Sequence, residues 1–337
     1  MSPAEAAGPA LPEPDFSPPP LPPGFPRWKH FAWDGWDLEI PVDWDLGALE
    51  TQGGAGYFRL DDEFESRLMV KWQPLKGRFD PEGAIRRHFK KRRKDLERAG
   101  LRAEPRIGAP LADTRKALKG FDYQTYAIES GEHTLLGVAA CCRQCTRAFV
   151  AELHSAPGQA ADRLVGRVLG SLREHPEGKL TRWEFFGVSA DLPAELRAAG
   201  RRFQQGLVSF AAAERGRRVE LCRWTLANVH LASADLRRFL GAYLAKSRGL
   251  PRLAIEPAAV MSHPGLVFRS ARRILEPVRA RLRRGLGVYN PAHVTGLVWH
   301  CTASNRIFML TLGSNQANDI GAARLLASRV RCCKTMY

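Results

Sequence analysis

Two stretches of this chain repeat one another. GVAACCRQCTRAFVAEL, from Gly137 to Leu153, aligns without a gap on GLVWHCTASNRIFMLTL, from Gly296 to Leu312. Gly137 falls on Gly296, Cys142 on Cys301, Arg147 on Arg306, Phe149 on Phe308 and Leu153 on Leu312. Such a repeat constrains the fold more than composition does, because each copy has to be one structural unit built the same way. The matches continue in the same order along the chain. GVSADLP (Gly187 to Pro193) answers GWDLEIP, placing Leu192-Pro193 on Ile40-Pro41. GLVSF (Gly206 to Phe210) answers GYFRL (Gly56 to Leu60), and VELCRW answers RLMVKW, which sets Trp224 on Trp72. ADLRRFLGAYL answers GAIRRHFKKRR, with Leu236 on Ile85 and Leu240 on Phe89. His293 falls on His133, and Arg324-Leu325-Leu326 on Arg163-Leu164-Val165. A length of 337 residues has room for two domains. The reading is therefore a leader over 1–27, a first domain over 28–178 and a second over 179–337.

Periodicity fills in the elements. Trp36, Leu38 and Ile40 alternate as in a strand, closed by Pro41. Gly56 to Leu60, Arg67 to Trp72 and Phe121 to Ile128 read as strands, and the repeated segment reads as a hairpin. DPEGAIRRHFKKRRKDLERAG reads as a helix with Asp80 as cap, Pro81 in the first turn and Gly100 at the end. Ala160 to His175 reads as a second helix, with Leu164, Val165, Val168, Leu169 and Leu172 on one face. Short connections imply antiparallel pairing. The expected fold class is α+β: two tandem copies of an antiparallel sheet covered by helices. The leader, ending FSPPPLPPGFP, has too few apolar residues for a core and is expected to be disordered.

The strand LEIP (Leu38 to Pro41), followed by Trp44, resembles the opening of the PsbP-like superfamily, which includes the photosystem extrinsic protein and the Ran-binding Mog-type proteins. The second copy, ADLP, has no Trp after its Pro. The resemblance implies helices sandwiching an antiparallel sheet, and a module that works by docking rather than by catalysis. It transfers no functional residues.

The net charge of +16 favours an anionic partner, an acidic protein or a nucleic acid. Arginine outnumbers lysine, and alanine, glycine and proline abound, so compositional bias accounts for part of that charge. Two segments concentrate it. The first is the helix carrying Arg86, Arg87, Lys90, Lys91, Arg93 and Lys94. The second is an insertion in the second copy, ARRILEPVRARLRRGLG, with Arg272, Arg273, Arg279 and Arg283. The expected function is a binding or assembly module acting through these surfaces, with nucleic-acid binding as the alternative. The tryptophans read as core rather than as stacking platforms.

Seven cysteines, two pairs of them adjacent, make a poor disulfide framework and fit a reducing cytoplasm. No run approaches the roughly 18 apolar residues of a membrane span. Cys142 and Cys145 form a CxxC at a hairpin tip, a candidate pair of zinc ligands. A second pair, Cys332-Cys333 or His300 with Cys301, would have to complete the site; otherwise the cysteines are small buried apolar residues. Asp34, Asp37, Asp43 and Asp45 lie near the first strand, where alternation scatters them over both faces. No Walker loop, GxSxG or HExxH nominates a catalytic site.

Overall fold

The computed structural model describes residues 27–98, 104–111, 118–130, 133–155, 161–176, 178–245, 253–271, 293–314 and 319–333. The Pro-rich leader lies outside these residues, as does the basic insertion beyond Ala271 with Arg272, Arg273, Arg279 and Arg283.

Hairpins organise the molecule. β1 (Trp28–Trp33) and β2 (Trp36–Pro41) are joined at Asp34-Gly35, with φ of 52° and 96°. β10 (Leu180–Phe185) and β11 (Val188–Pro193) are joined at Phe186-Gly187, with φ of 44° and 66°. Two-residue turns of this hand match the right-handed twist of the strands they connect. β1 pairs with β10, so the two hairpins make a four-stranded sheet in the order β11-β10-β1-β2.

Each copy then contributes a seven-stranded sheet. The first copy supplies β3 (Asp45–Gln52), β4 (Ala55–Asp61), β5 (Ser66–Pro74), β6 (Arg106–Ile107), β7 (Phe121–Ser130), β8 (His133–Cys142) and β9 (Arg147–Ser155). Their order is β3-β4-β5-β9-β8-β7-β6. The second supplies β12 (Arg197–Gln204), β13 (Leu207–Glu214), β14 (Arg217–Trp224), β15 (Leu253–Val260), β16 (His263–Ala271), β17 (His293–Cys301) and β18 (Arg306–Ser314). Their order, β12-β13-β14-β18-β17-β16-β15, corresponds strand for strand. Every pairing is antiparallel.

The expected α+β class is overturned, because the protein is mostly β. Among the described residues five helices accompany eighteen strands: α1 (Pro81–Arg98), α2 (Ala161–Ser171), α3 (Ala227–His230), α4 (Leu236–Ala245) and α5 (Ile320–Ala327). Three strands of the first copy escape sequence reading, the two-residue Arg106–Ile107 among them. Trp28–Trp33 precedes the expected first strand, and DLGALETQ, with its glycine and few apolar residues, lacks a clean alternation. The expected helix over Ala160 to His175 stops at Ser171, and Arg173 instead pairs with Asp37 of β2. Its apolar face is as expected: Val165, Val168, Leu169 and Leu172 are buried.

Sheet packs on sheet. One continuous core takes Trp33, Trp36 and Trp183 from the four-stranded sheet, Phe58, Val70 and Phe149 from the first copy, and Phe210, Leu221 and Phe308 from the second. Trp33, in the first hairpin, meets Trp183, Phe185, Phe203 and Phe210 of the second copy. Asp34 Oδ1 accepts from the Ala198 N–H at 2.9 Å, and Arg201 donates to the Leu49 carbonyl. These bonds tie β12 to the first copy at both places.

The strand registers correct three of the sequence matches; in one, Phe210 opposite Leu221 takes the place of Phe58 opposite Val70, two residues from its match to Leu60. Trp72 pairs with Phe149, whereas the partner of Phe308 is Arg223. Arg223, not Trp224, therefore occupies the place of Trp72. A slip of one residue moves a side chain to the other face. Trp224 accordingly lies on the outer face, against Phe239 and Tyr243 of α4, while Trp72 packs in the central core. His133 and His293 are likewise one step apart: Thr134 pairs with Ser155, and His293 pairs with Ser314.

The repeated glycines have a packing cause. Gly137 pairs with Tyr126 and Gly296 with Phe268, and each aromatic ring lies across its glycine where a Cβ would collide with it. Gly296→Ala is therefore expected to destabilise the protein by about 1–3 kcal/mol, because the fully buried Phe268 ring has to move. Gly241→Ala, at an exposed position of α4 with open space around it, is expected to stabilise by up to about 1 kcal/mol. Urea unfolding midpoints of the two variants check both signs.

Candidate functional site

Three constellations of polar and sulfur-bearing side chains stand out. The first lies between α1 and the outer face of the first seven-stranded sheet. Ile85 and Phe89 of α1 are buried there. His88 and Arg92, one turn apart and on the same side, reach Glu152 of β9. Glu152 is fully buried, between the buried Ala151 and Leu153. Arg92 donates to Oε2, and the Tyr126 hydroxyl donates to Oε1 at 2.9 Å. His88 Nε2 lies 3.1 Å from Oε1, within ion-pair distance but off the hydrogen-bond axis. Burial pushes the Glu152 carboxyl up, yet His88, Arg92 and Tyr126 together outweigh burial and hold it at about 2. Burial beside this carboxylate pushes the Tyr126 phenol well above its usual range. In the second copy the corresponding face carries Thr311 and Phe268, and α4 covers it with apolar side chains.

The second constellation is at the end of the first-copy hairpin. Cys142, Glu174 and His175 lie together. The Cys145 thiol donates to Glu174 at 3.0 Å, and Arg147 Nε pairs with the same carboxylate at 3.1 Å. Arg147 also sits over the Trp36 ring at 6.0 Å. Burial and the Glu174 carboxylate push the Cys145 thiol up to about 12, so it is a protonated donor rather than a thiolate. Beside it opens a cavity of about 270 Å³, lined by Asp37, Arg173, His175, Arg182 and Asp191.

The third occupies the same place in the second copy. The Arg173 N–H bonds to the Asp37 carbonyl, and the Arg331 N–H bonds to the Ser189 carbonyl, both at 2.8 Å. Asp37 and Ser189 follow the first residues of equivalent strands, so Arg331 takes the place of Arg173. Cys332-Cys333 then stands where the first copy has Glu174-His175, and Cys301 stands on Cys142. Here Cys301, Cys332 and Cys333 meet His263, which opens β16. Strand alternation leaves His300 out of this group.

Of the residues the sequence nominated, Arg86, Arg87, Lys90, Lys91, Arg93 and Lys94 are all exposed on α1. Cys142 is buried and Cys145 exposed, and the grouping brings Cys142 to Glu174 and His175. The aspartates scatter as expected: Asp34 bonds to Ala198, Asp37 to His30, and Asp45 pairs with Lys29, while Asp43 is exposed. Glu152, Glu174, His175 and His263 were missed. A carboxylate inside the apolar run AFVAEL was the one local signal for Glu152. His263 is brought to the cysteines by sheet pairing alone.

No family model matches the chain, and no curated protein matches it. Among solved structures the chain is similar to cyanobacterial PsbP (CyanoP) from Synechocystis, at 17% identity and a TM-score of 0.33, over 45% of this chain and 95% of that one. It is also similar to the immunity protein TplEi of T6SS from Pseudomonas aeruginosa, at 11% identity and a TM-score of 0.32, over 90% and 96% of the two chains. The Tle4-Tli4 complex matches at 10% identity and a TM-score of 0.28, over 92% and 98%. Likeness at this level carries no function from those proteins to this chain. No helix of the described residues is long and apolar enough to cross a membrane.

The Glu152 cluster yields a stability prediction. A carboxyl held at about 2 in the folded chain contributes stability that is complete above the ordinary carboxylate range and is lost as pH falls through about 2. Glu152→Gln removes that contribution, so at neutral pH it is expected to cost about 3 kcal/mol. The gap between variant and wild type should narrow in acid unfolding titrations below about pH 4.

Proposed function

We propose that this protein is a binding module that docks an acidic protein partner on the outer face of α1. The observation that carries the reading is how the helix is divided. Ile85, His88, Phe89 and Arg92 fix its inner side to the sheet, so Arg86, Arg87, Lys90, Lys91, Arg93 and Lys94 are all presented outward. Arg87 meets Asp80 at 3.7 Å in a pair that is more than half exposed on both sides, which neutralises little of that face. A surface of one sign raises the encounter rate with an oppositely charged partner and sets its orientation.

An acidic protein is favoured over single-stranded nucleic acid, because such binders stack bases on exposed aromatic rings. Seven tryptophans, Trp33, Trp36, Trp44, Trp72, Trp183, Trp224 and Trp299, are buried, Trp28 lies under Arg167, and the exposed ring of Phe64 stands in the turn between β4 and β5 rather than on α1.

Anisotropy titrations with a fluorescent poly-glutamate peptide and a labelled DNA duplex test the reading. The reversal Arg86→Glu/Lys90→Glu/Lys94→Glu is expected to weaken peptide binding at least tenfold, with its circular dichroism unchanged. Binding by the wild type should weaken steeply with added salt. Equal peptide affinity in variant and wild type would falsify the proposal. Loss confined to the duplex would replace the acidic protein with a nucleic acid.

A further inference from the structure

We propose that Cys301, Cys332, Cys333 and His263 form a structural zinc site that fastens the C-terminal segment to the second seven-stranded sheet. The four ligand atoms all lie within 4.8 Å of one another. His263 Nε2 is 3.2 Å from both the Cys332 and Cys333 sulfurs. The Cys333 sulfur is 3.6 Å from that of Cys332 and 3.8 Å from that of Cys301. A tetrahedral ion with bonds of about 2.3 Å to sulfur and about 2.0 Å to nitrogen holds its ligands about 3.5–3.8 Å apart. The cluster needs only small side-chain adjustments to enclose one.

The surroundings offer hydrogen-bond donors to sulfur. Trp299 Nε1 and Ser304 Oγ are buried without a hydrogen-bond partner of ordinary geometry. Their neighbours are sulfurs: the Trp299 N–H lies against Cys332, and the Ser304 hydroxyl against Cys301. Donors directed at coordinating sulfur are the outer shell that orients and stabilises such ligands. The Arg306 guanidinium lies near Cys301 and complements the single negative charge of a zinc ion with three thiolates and one imidazole.

Position gives the site its role. Cys301 ends β17, His263 opens β16, and Cys332-Cys333 follows α5. Four protein ligands leave no open position, which marks a structural rather than a catalytic ion. The first copy differs at the same place. Its Glu174 is already bonded to Cys145 and paired with Arg147, so the carboxylate is neutralised from within. Exposed Cys333 is the ligand through which metal enters and protons leave.

The test uses the full reduced chain, stripped of metal and titrated with Co²⁺ alone. The expected result is one equivalent bound per chain, with the strong visible bands of a tetrahedral ion and thiolate-to-cobalt charge transfer, all bleached by Zn²⁺. Zinc should also raise the melting temperature. Cys333→Ser and His263→Ala are each expected to weaken binding about 100-fold or more, and Cys145→Ser to leave it unchanged. Circular dichroism of the apo variants controls for folding. Weak octahedral bands, loss of the ion to a weak chelator, or spectra unaltered by both variants would overturn the proposal. So would a disulfide among these cysteines that persists in reductant.

Discussion

The structure depends on Trp33. This side chain belongs to the first hairpin but is buried among Trp183, Phe185, Phe203 and Phe210 of the second copy. Pairing of β1 with β10 places it there, and the four-stranded sheet that results lets both seven-stranded sheets share one core. Burying an indole of this size stabilises by several kcal/mol, and its edge-to-face contacts add to that. The strands themselves follow from local pattern. Their assembly into one body follows from this shared aromatic layer.

The outer faces of the two large sheets are where the copies diverge. Under α1 the first copy buries a carboxylate held by His88, Arg92 and Tyr126. Under α4 the second copy buries Trp224, Phe268 and Leu240. A charged inner face suits a helix whose outer face is also charged, because His88 and Arg92 are anchored by Glu152 rather than by apolar burial. The same divergence recurs at the hairpin ends. Glu174-His175 in one copy and Cys332-Cys333 in the other occupy one backbone position, held by the same bond to the neighbouring hairpin. One position thus supports a neutralised carboxylate in the first copy and a cluster of soft ligands in the second.

The gapless match of Gly137–Leu153 to Gly296–Leu312 was legible because both segments keep the same glycine under the same aromatic place. The buried face of α2 was legible from its period, and the exposure of the α1 cations from their thin apolar spacing. The fold class was not. Strands such as DLGALETQ carry too little alternation to be read locally, and they gain their order from neighbours in the sheet. Matching Trp224 to Trp72 failed for a related reason: letters align by identity, whereas side chains are assigned to faces by register. One step of slip exchanged core for surface.

By itself the sequence determined that the chain is built twice from one unit, that its strands pair through short antiparallel connections, and that one helix bears a dense positive face. These properties rest on local order, which neighbours along the chain specify. Tertiary structure decided which residues meet. Glu152 finds His88 and Arg92, and His263 finds Cys301, Cys332 and Cys333, only because sheet pairing and the shared aromatic core bring distant segments together. No spacing along the chain encodes such a meeting, since it is fixed by the burial of side chains that take no part in it.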